Sequence, residues 1–284
     1  MEEEKNYTMV EELPKGQARV VFQGVEGAYS HAAMNAFFGR GVESFHVQTW
    51  KNAMDAIASG SADYAVLPIE NSSAGIVGEN FDLLVEYDNC IVAEQTIKVE
   101  HALLGLPGSS LSGITHVYSH PQALMQSVDF LDAHKGWKQV AEENTAVAAR
   151  KILADGQKNQ AAIASPVSAE IYGLEILENN INYSEDNSTR FIIVSGKKIC
   201  LAGAGKISIC FEISHESGSL YHMLSHLIFN NLNMVKIESR PIKDKSFEYR
   251  FFVDLEGNLR DGAVQNALKG LMEGALYFKV LGNY

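Results

Sequence analysis

Arg19–Gly39, RVVFQGVEGAYSHAAMNAFFG, decides the fold class. RVVFQG (19–24) is a short apolar run closed by glycine and reads as a buried strand. YSHAAMNAFFG follows at once with a helical pattern. The same succession recurs along the chain. SFHVQT (44–49) precedes WKNAMDAIASG, and YAVLPIE (64–70) precedes a loop and GENFDLLVEY. THVYSH (115–120) precedes PQALMQSVDFLDAH, and the helical TAVAARKILADG precedes the strand QAAIAS (160–165). Such alternation predicts an α/β fold of mostly parallel sheets covered on both faces. CIVAEQTIKVEHALLGLP reads as long crossing strands near 91–107. The chain is therefore expected to leave one lobe, build a second and return, over residues 19–197. Two-lobed binding proteins share this plan, in which ligands bind in the cleft at the carboxyl ends of strands.

From residue 206 the texture changes. KISICFEI reads as a strand, and SLYHMLSHLIFNN places Leu220, Met223, Leu224, Leu227 and Ile228 on one helical stripe. MVKIESRPI and YRFFVDLEG read as strands around a turn at KDKS. AVQNALKGLMEG is a second helix, striped by Val264, Leu268, Leu271 and Met272, and ALYFKVLGNY is a closing strand. The order βαββαβ is a ferredoxin-like module over 206–284. KKICLAGAG supplies the expected linker, 198–205. Residues 1–18 are acidic and lack an apolar core, so they read as a tail or linker remnant and not as a signal peptide.

The formal charge is −12, from 23 Lys and Arg against 35 Asp and Glu. That opposes nucleic acid or an anionic membrane as partner. No apolar run approaches the ~20 residues of a membrane span. The three cysteines, Cys90, Cys200 and Cys210, stand alone, which suggests reduced thiols and a cytoplasmic protein. The cysteines form no CxxC pair, and no metal is expected. Dinucleotide, P-loop and nucleophile-elbow motifs are missing from the sequence.

Polar clusters lie where strands end. GAYS (27–30) carries Ala28, Tyr29 and Ser30. PIENSSAG (68–75) carries Glu70, Asn71, Ser72, Ser73 and Gly75. SHPQA (119–123) carries Ser119, His120 and Gln122, with Pro121 suited to a helix N1 position, and ENTA (143–146) carries Asn144 and Thr145. Each alone is explained by helix capping. In a parallel sheet, however, all strand-to-helix turns share one edge, so these clusters are expected to converge with NSTRF (187–191), that is Ser188, Thr189, Arg190 and Phe191. Helix N-termini favour anions. Arg190 is expected either to grip a carboxylate bidentately or to form a surface or interdomain ion pair. In the C-terminal module SGSLYHML (217–224) opens a helix and IESRP (237–241) ends a strand. Gly218 permits close backbone approach. Glu238 and Arg240 either protect an edge strand together with Pro241 or belong to an effector site at a subunit interface.

In this order the motifs resemble those of prephenate dehydratase with a C-terminal ACT regulatory domain, over about residues 19–284. GVEGAYSHAA resembles the family's N-terminal Gly-x-x-Gly-Thr-[Tyr/Phe]-Ser element, and NSTRF its Thr-Arg-Phe signature. PIENSSAGIV and SHPQALMQ match as well. IESRP and GSLYHML resemble the effector motifs. The chain departs at Val25, Ala28, Ser219 and Tyr221; at Ala28 the usual Thr hydroxyl is lost. The resemblance implies conversion of prephenate to phenylpyruvate, water and CO2 without a cofactor. It implies Thr189 as proton donor, with Glu70 a second candidate if burial keeps it protonated. Arg190 is then expected to hold the side-chain carboxylate of prephenate, and the other cleft residues above to bind substrate. L-Phenylalanine is implied as effector, bound by Gly218, Ser219, Leu220, Asn233, Glu238, Ser239, Arg240 and Pro241 in a homodimer or homotetramer. Arogenate dehydratase and a non-catalytic amino-acid sensor are the alternatives on the same fold.

Overall fold

In the computed structural model, residues 7–184, 186–243, 245 and 247–284 are described. The elements run β1 Thr8–Val10, β2 Arg19–Gln23, α1 Tyr29–Phe38, β3 Glu43–Val47, α2 Trp50–Ala58, β4 Tyr64–Asn71, β5 Gly75–Ile76, α3 Gly78–Glu86 and β6 Cys90–Lys98. Then come β7 Ala102–Gly105, β8 His116–Ser119, α4 Pro121–Gln126, α5 Val128–Asp132, β9 Lys138–Ala141, α6 Thr145–Asp155, β10 Gln160–Ala164, α7 Pro166–Tyr172 and β11 Glu175–Glu178. The chain closes with β12 Ser188–Ser195, β13 Ile199–Leu201, β14 Lys206–Glu212, α8 Ser219–Phe229, β15 Met234–Pro241, β16 Tyr249–Glu256, α9 Gly262–Gly274 and β17 Tyr277–Asn283.

Two large sheets make two lobes. The second lobe holds the order β11-β7-β10-β8-β9. The first lobe's strands β6-β12-β4-β2-β3 continue without a break into the C-terminal module's β15-β16-β14-β17, joined where Gly282 on β17 pairs with Ile91 on β6. A Cβ on Gly282 would collide with the Ile91 backbone, so this junction requires glycine. The chain passes between lobes twice, after β6 and before β12, and Val99 N–H donates to Asn187 O across the two passages at 2.7 Å.

Parallel pairing is less extensive than the alternation predicts. β2 pairs in parallel with β3 and β4, and β8 with β9 and β10, but β12 runs antiparallel to both β4 and β6. The returning strand enters from the second lobe, so it meets the first sheet head to tail. That reversal sets Thr189 opposite Asn71, at the carboxyl end of β4.

β12 is apolar on both faces, and alternate residues enter different cores. Phe191 and Ile193 pack with Val20, Phe22 and Met34 beneath α1. Ile192 and Val194 pack with Leu67, Phe81 and Leu84, and with Cys210, Phe252 and Leu281 of the C-terminal module. The module thus shares a core with the first lobe. Residues 7–18 and 198–205 are more structured than a tail and a linker. Thr8–Val10 pairs with Ile199–Leu201, and Leu13 and Ala18 are buried. Apolar side chains at Met9, Val10, Ile199 and Leu201 explain why the two segments associate. Residues 1–6 of the expected tail, and Asp244 and Ser246 of the expected KDKS turn, lie outside the described residues.

Candidate active site

A cleft of about 400 Å³ lies between the lobes, and the polar clusters open into it. Ala28, Tyr29, Ser30, Asn71, His120, Gln122, Asn144, Thr145, Thr189 and Phe191 all line it. Seven of these ten residues sit at three helix N-termini: α1 begins after Ala28, α4 after His120 and α6 after Asn144. His120 caps α4 by accepting from Gln122 N–H, and Asn144 caps α6 by accepting from Val147 N–H at 2.8 Å. Ala28 offers no side-chain cap, so the first turn of α1 faces the cleft uncapped.

Asn71 organises the floor. Its Oδ1 accepts from Ser73 and Ala74 N–H, at 3.0 and 2.8 Å, and fixes the turn after β4. Its Nδ2 donates to Thr189 Oγ1 at 2.9 Å and lies near Asn187 Oδ1 and Ser188 O. The Thr189 oxygen is therefore an acceptor from Asn71. Among the described residues no acceptor takes the hydroxyl's own hydrogen, which leaves it for a ligand.

Arg190 does not join the cleft. With Ile192 it lines a small buried void on the opposite face, because neighbouring strand residues point to opposite sides. Its guanidinium is met by three carboxylates: Glu94 on β6 at 3.0 Å, Asp254 on β16 at 2.9 Å, and Glu70 on β4 at 2.7 Å. The last is an ion-pair contact only, since the Nε–H is not aimed along it. Lys206 bonds Glu94 at 2.6 Å, Lys236 bonds Glu70, and Asp254 also accepts from Ser208. Three cations and three carboxylates balance there. Burial works against the Arg190 cation, but Asp254 and its neighbours hold it charged.

Two expectations are corrected by this cluster. Arg190 is not placed to grip a substrate carboxylate, because its donors are committed to the junction with the C-terminal module. Glu70 is not a protonated acid in the cleft. Burial works to raise its carboxyl, but Lys236 and Arg190 outweigh burial and hold it below the usual range. Four serines also lie outside the lining. The Ser119 hydroxyl is buried and donates to Ile163 O at 2.6 Å. Ser72 and Ser188 bond each other across the β4–β12 end, and Ser73 is held by Asn71. Gly75, at φ +83°, turns the chain into β5.

His101 and Trp50 complete the cleft and were not legible as site residues. His101 sits on the first interlobe passage, 2% exposed. Its Nδ1 is 3.1 Å from Tyr29 Oη on α1, and its Nε2 is 2.8 Å from Gln126 Oε1 on α4, so the ring bridges the lobes. Burial lowers its basicity despite the Gln126 contact. Tyr29 O–H donates to Glu100 O at 2.7 Å, and burial raises its phenol well above the ordinary value. The Trp50 indole N–H is buried without a partner among the described residues. The one available signal for His101 was a histidine opening the apolar run ALLGL.

In the C-terminal module, Ser219 and Leu220 line a cavity of about 130 Å³ with His215, Glu216, Tyr249 and Phe251. Gly218 sits just before them at φ +84° as the N-cap of α8. Asn233, Glu238, Ser239, Arg240 and Pro241 are outside that lining. Arg240 is a further correction to the effector set. Its Nε and Nη2 donate to both oxygens of Asp82 on α3, at 2.9 and 2.6 Å, so it docks the module on the first lobe.

A family model described as prephenate dehydratase matches residues 20–199. The chain is 35% identical over 272 residues to the bifunctional chorismate mutase/prephenate dehydratase of Escherichia coli (strain K12), covering 94% of this chain and 70% of that protein. It is 36% identical over 280 residues to arogenate dehydratase/prephenate dehydratase 2, chloroplastic, of Arabidopsis thaliana, covering 94% and 73%. Among solved structures, prephenate dehydratase from Arthrobacter aurescens in complex with L-Phe superposes with a TM-score of 0.86 at 28% identity, over 94% of this chain and 89% of that one. A protein described as GqqA, a novel type of quorum quenching acylase, superposes with a TM-score of 0.85 at 33% identity, over 93% and 96%.

Proposed function

This chain belongs to the prephenate dehydratase family, and on that premise we propose that it converts prephenate to phenylpyruvate, water and carbon dioxide. The observation that carries the reading is the Thr189 hydroxyl, held by Asn71 at the cleft floor with its own hydrogen unclaimed. In the reaction the electron pair of the bond to the ring carboxylate enters the ring as CO2 departs. The ring double bonds shift and the C–O bond to the ring hydroxyl breaks. That oxygen needs a proton, so that water leaves instead of hydroxide. Thr189 directs its O–H to the leaving oxygen, and the Asn71 N–H stabilises negative charge that builds on Oγ1. Solvent then restores the proton. The step is redox-neutral overall, and the aromatic ring it forms supplies the driving force.

With Arg190 withdrawn, neutral donors hold the substrate: uncapped N–H groups of α1 and the amides of Gln122 and Gln126. Pro68, Val77, Val99 and Phe191 form apolar walls. Poor solvation there favours loss of a carboxylate as neutral CO2.

The βαββαβ module is the ACT regulatory domain of this reading, with L-phenylalanine as effector. The shared core and the Arg190 cluster support coupling between effector and cleft, because both modules grip the strand that carries Thr189. Exposed Tyr221, Ile228 and Phe229 and the edge strand β15 support association of two copies through this module, as a homodimer or homotetramer in the cytoplasm. The test is incubation with prephenate followed by alkaline absorbance of phenylpyruvate. No phenylpyruvate above the uncatalysed rate defeats the reading.

A further inference from the structure

We infer that Ser168 and Tyr172, with Ser165, are positioning residues: from the second lobe they hold the loop 24–28 of the first lobe, and through it the first turn of α1 at the cleft. The inference deepens the dehydratase reading above and rests on it for its kinetic arm alone.

None of the three residues lines the cleft. Ser165 caps α7, and Ser168 and Tyr172 lie on it. Opposite them, the Gly27 peptide is gripped on both sides. Its N–H donates to His31 Nδ1 at 3.1 Å, which ties the loop to α1. Its carbonyl faces the other lobe and accepts from Ser165 Oγ at 3.2 Å and Ser168 Oγ at 3.1 Å. The two hydroxyls are 3.1 Å apart, so the carbonyl keeps a donor even when one hydrogen is shared between them. One residue earlier, Glu26 O accepts from Tyr172 Oη at 2.6 Å. Gly27 has φ +88°, and a Cβ there would lie 2.9 Å from Ser168 Oγ, so glycine is what brings the carbonyl this close. Beside these bonds Val25 and Ala28 are buried against Ala146, with Val147 and Tyr172 packed over them.

The contact lies between two helix starts that face the cleft from different lobes. Ala28, Tyr29 and Ser30 line it at α1, and Asn144 and Thr145 at α6. The gripped carbonyls fall one and two residues before Ala28, and the apolar contact falls on Ala146, just inside α6. Parting the lobes breaks every one of these bonds and wets the apolar contact. The three hydroxyls therefore favour the arrangement in which both helix starts reach one ligand. Apparent affinity scales with the fraction of protein in that arrangement. A bound ligand then holds the lobes together itself, so the chemical step changes little.

The test is the full chain carrying Ser168→Ala and Tyr172→Phe. Ser165 is left in place because it caps α7 by accepting from Ser168 N–H. Each hydroxyl bond is worth about fivefold in an equilibrium constant, so the pair shifts docking of the loop by about 25-fold. Part of that shift erodes only an excess of the docked form, so KM for prephenate is expected to rise about tenfold, with kcat within threefold. Amide hydrogen exchange on the unliganded protein reads the same shift without using the reaction. Residues 25–30 and 145–148 are expected to exchange about tenfold faster than in wild type, with β12 unchanged. Tyr172→Phe alone, about fivefold in exchange, serves if the double variant does not fold. Exchange within twofold of wild type over both segments overturns the inference, whatever the kinetics. So does a fall in kcat with KM within twofold. A wild type that forms no phenylpyruvate defeats the dehydratase reading and leaves the exchange result to decide this one.

Discussion

Asp254→Asn tests whether the C-terminal module holds the strand that bears Thr189. Asp254 is 9% exposed and Arg190 12%. Removing one partner of a buried pair costs about 3–5 kcal/mol when the other charge is left uncompensated. Here Arg190 keeps Glu94 at 3.0 Å and Glu70 at 2.7 Å, so it is not abandoned. Ser208, which donates to Asp254 at 2.5 Å, exchanges a charged acceptor for a neutral one. The expected loss is therefore below that range, about 2 kcal/mol. For a chain of this size it corresponds to a fall in Tm of about 4–8 °C. Thermal and urea unfolding of the full chain measure it. Combining Asp254→Asn with Arg190→Met should cost less than the two changes summed, because the second removes a bond the first has already weakened. A Tm within about 1 °C of wild type refutes the reasoning, since Arg190 would then not depend on the module.

Thr189→Ala is expected to lower kcat by about a hundredfold or more with KM within about threefold, whereas Thr189→Ser keeps most of the rate; a mainly raised KM would make Thr189 a binding residue. Glu70, held below 4.5 by Lys236 and Arg190 against burial, contributes stability above that pH and loses it as pH falls through its folded value. The acid limb of urea-unfolding stability below about pH 4.5 should therefore flatten in Glu70→Gln. His101 has a folded pKa lowered from 6.5 by burial, so its contribution is present above pH 6.5 and declines below it; a smaller decline in His101→Gln is the check, and an unchanged one counts against a neutral buried ring. Gly78→Ala should reverse the usual helix gain of up to about 1 kcal/mol, because the new Cβ falls on the Arg240 guanidinium. The gain should return in an Arg240→Ala background, as read by Tm.

Much of the cleft was legible because strand-to-helix turns carry their polar residues in contiguous clusters. GAYS, the Asn71 turn, His120-Pro-Gln122 and Asn144-Thr145 are local motifs, and the topology brings them to one place without rearranging them. Of the two roles open to Arg190, the structure has the interdomain ion pair and not the grip on a carboxylate. The period of two was in the sequence: Thr189, Phe191 and Ile193 fall on one face, and Arg190, Ile192 and Val194 on the other. His101 and Trp50 carried no such signal. Each is an isolated residue whose role depends on partners far along the chain, as with His101 between Tyr29 and Gln126.

The βα repeats, the βαββαβ module and the residues that end each strand follow from hydrophobic period and turn chemistry, which act over a few neighbours. Tertiary structure decided which face of β12 meets the cleft and which meets the C-terminal module. It also decided that the two modules share one sheet, and that a segment expected to be a tail pairs with one expected to be a linker. Those outcomes depend on pairing between segments distant in sequence. Asp254 became a partner of Arg190 only when β17 docked beside β6, and no local pattern records that event.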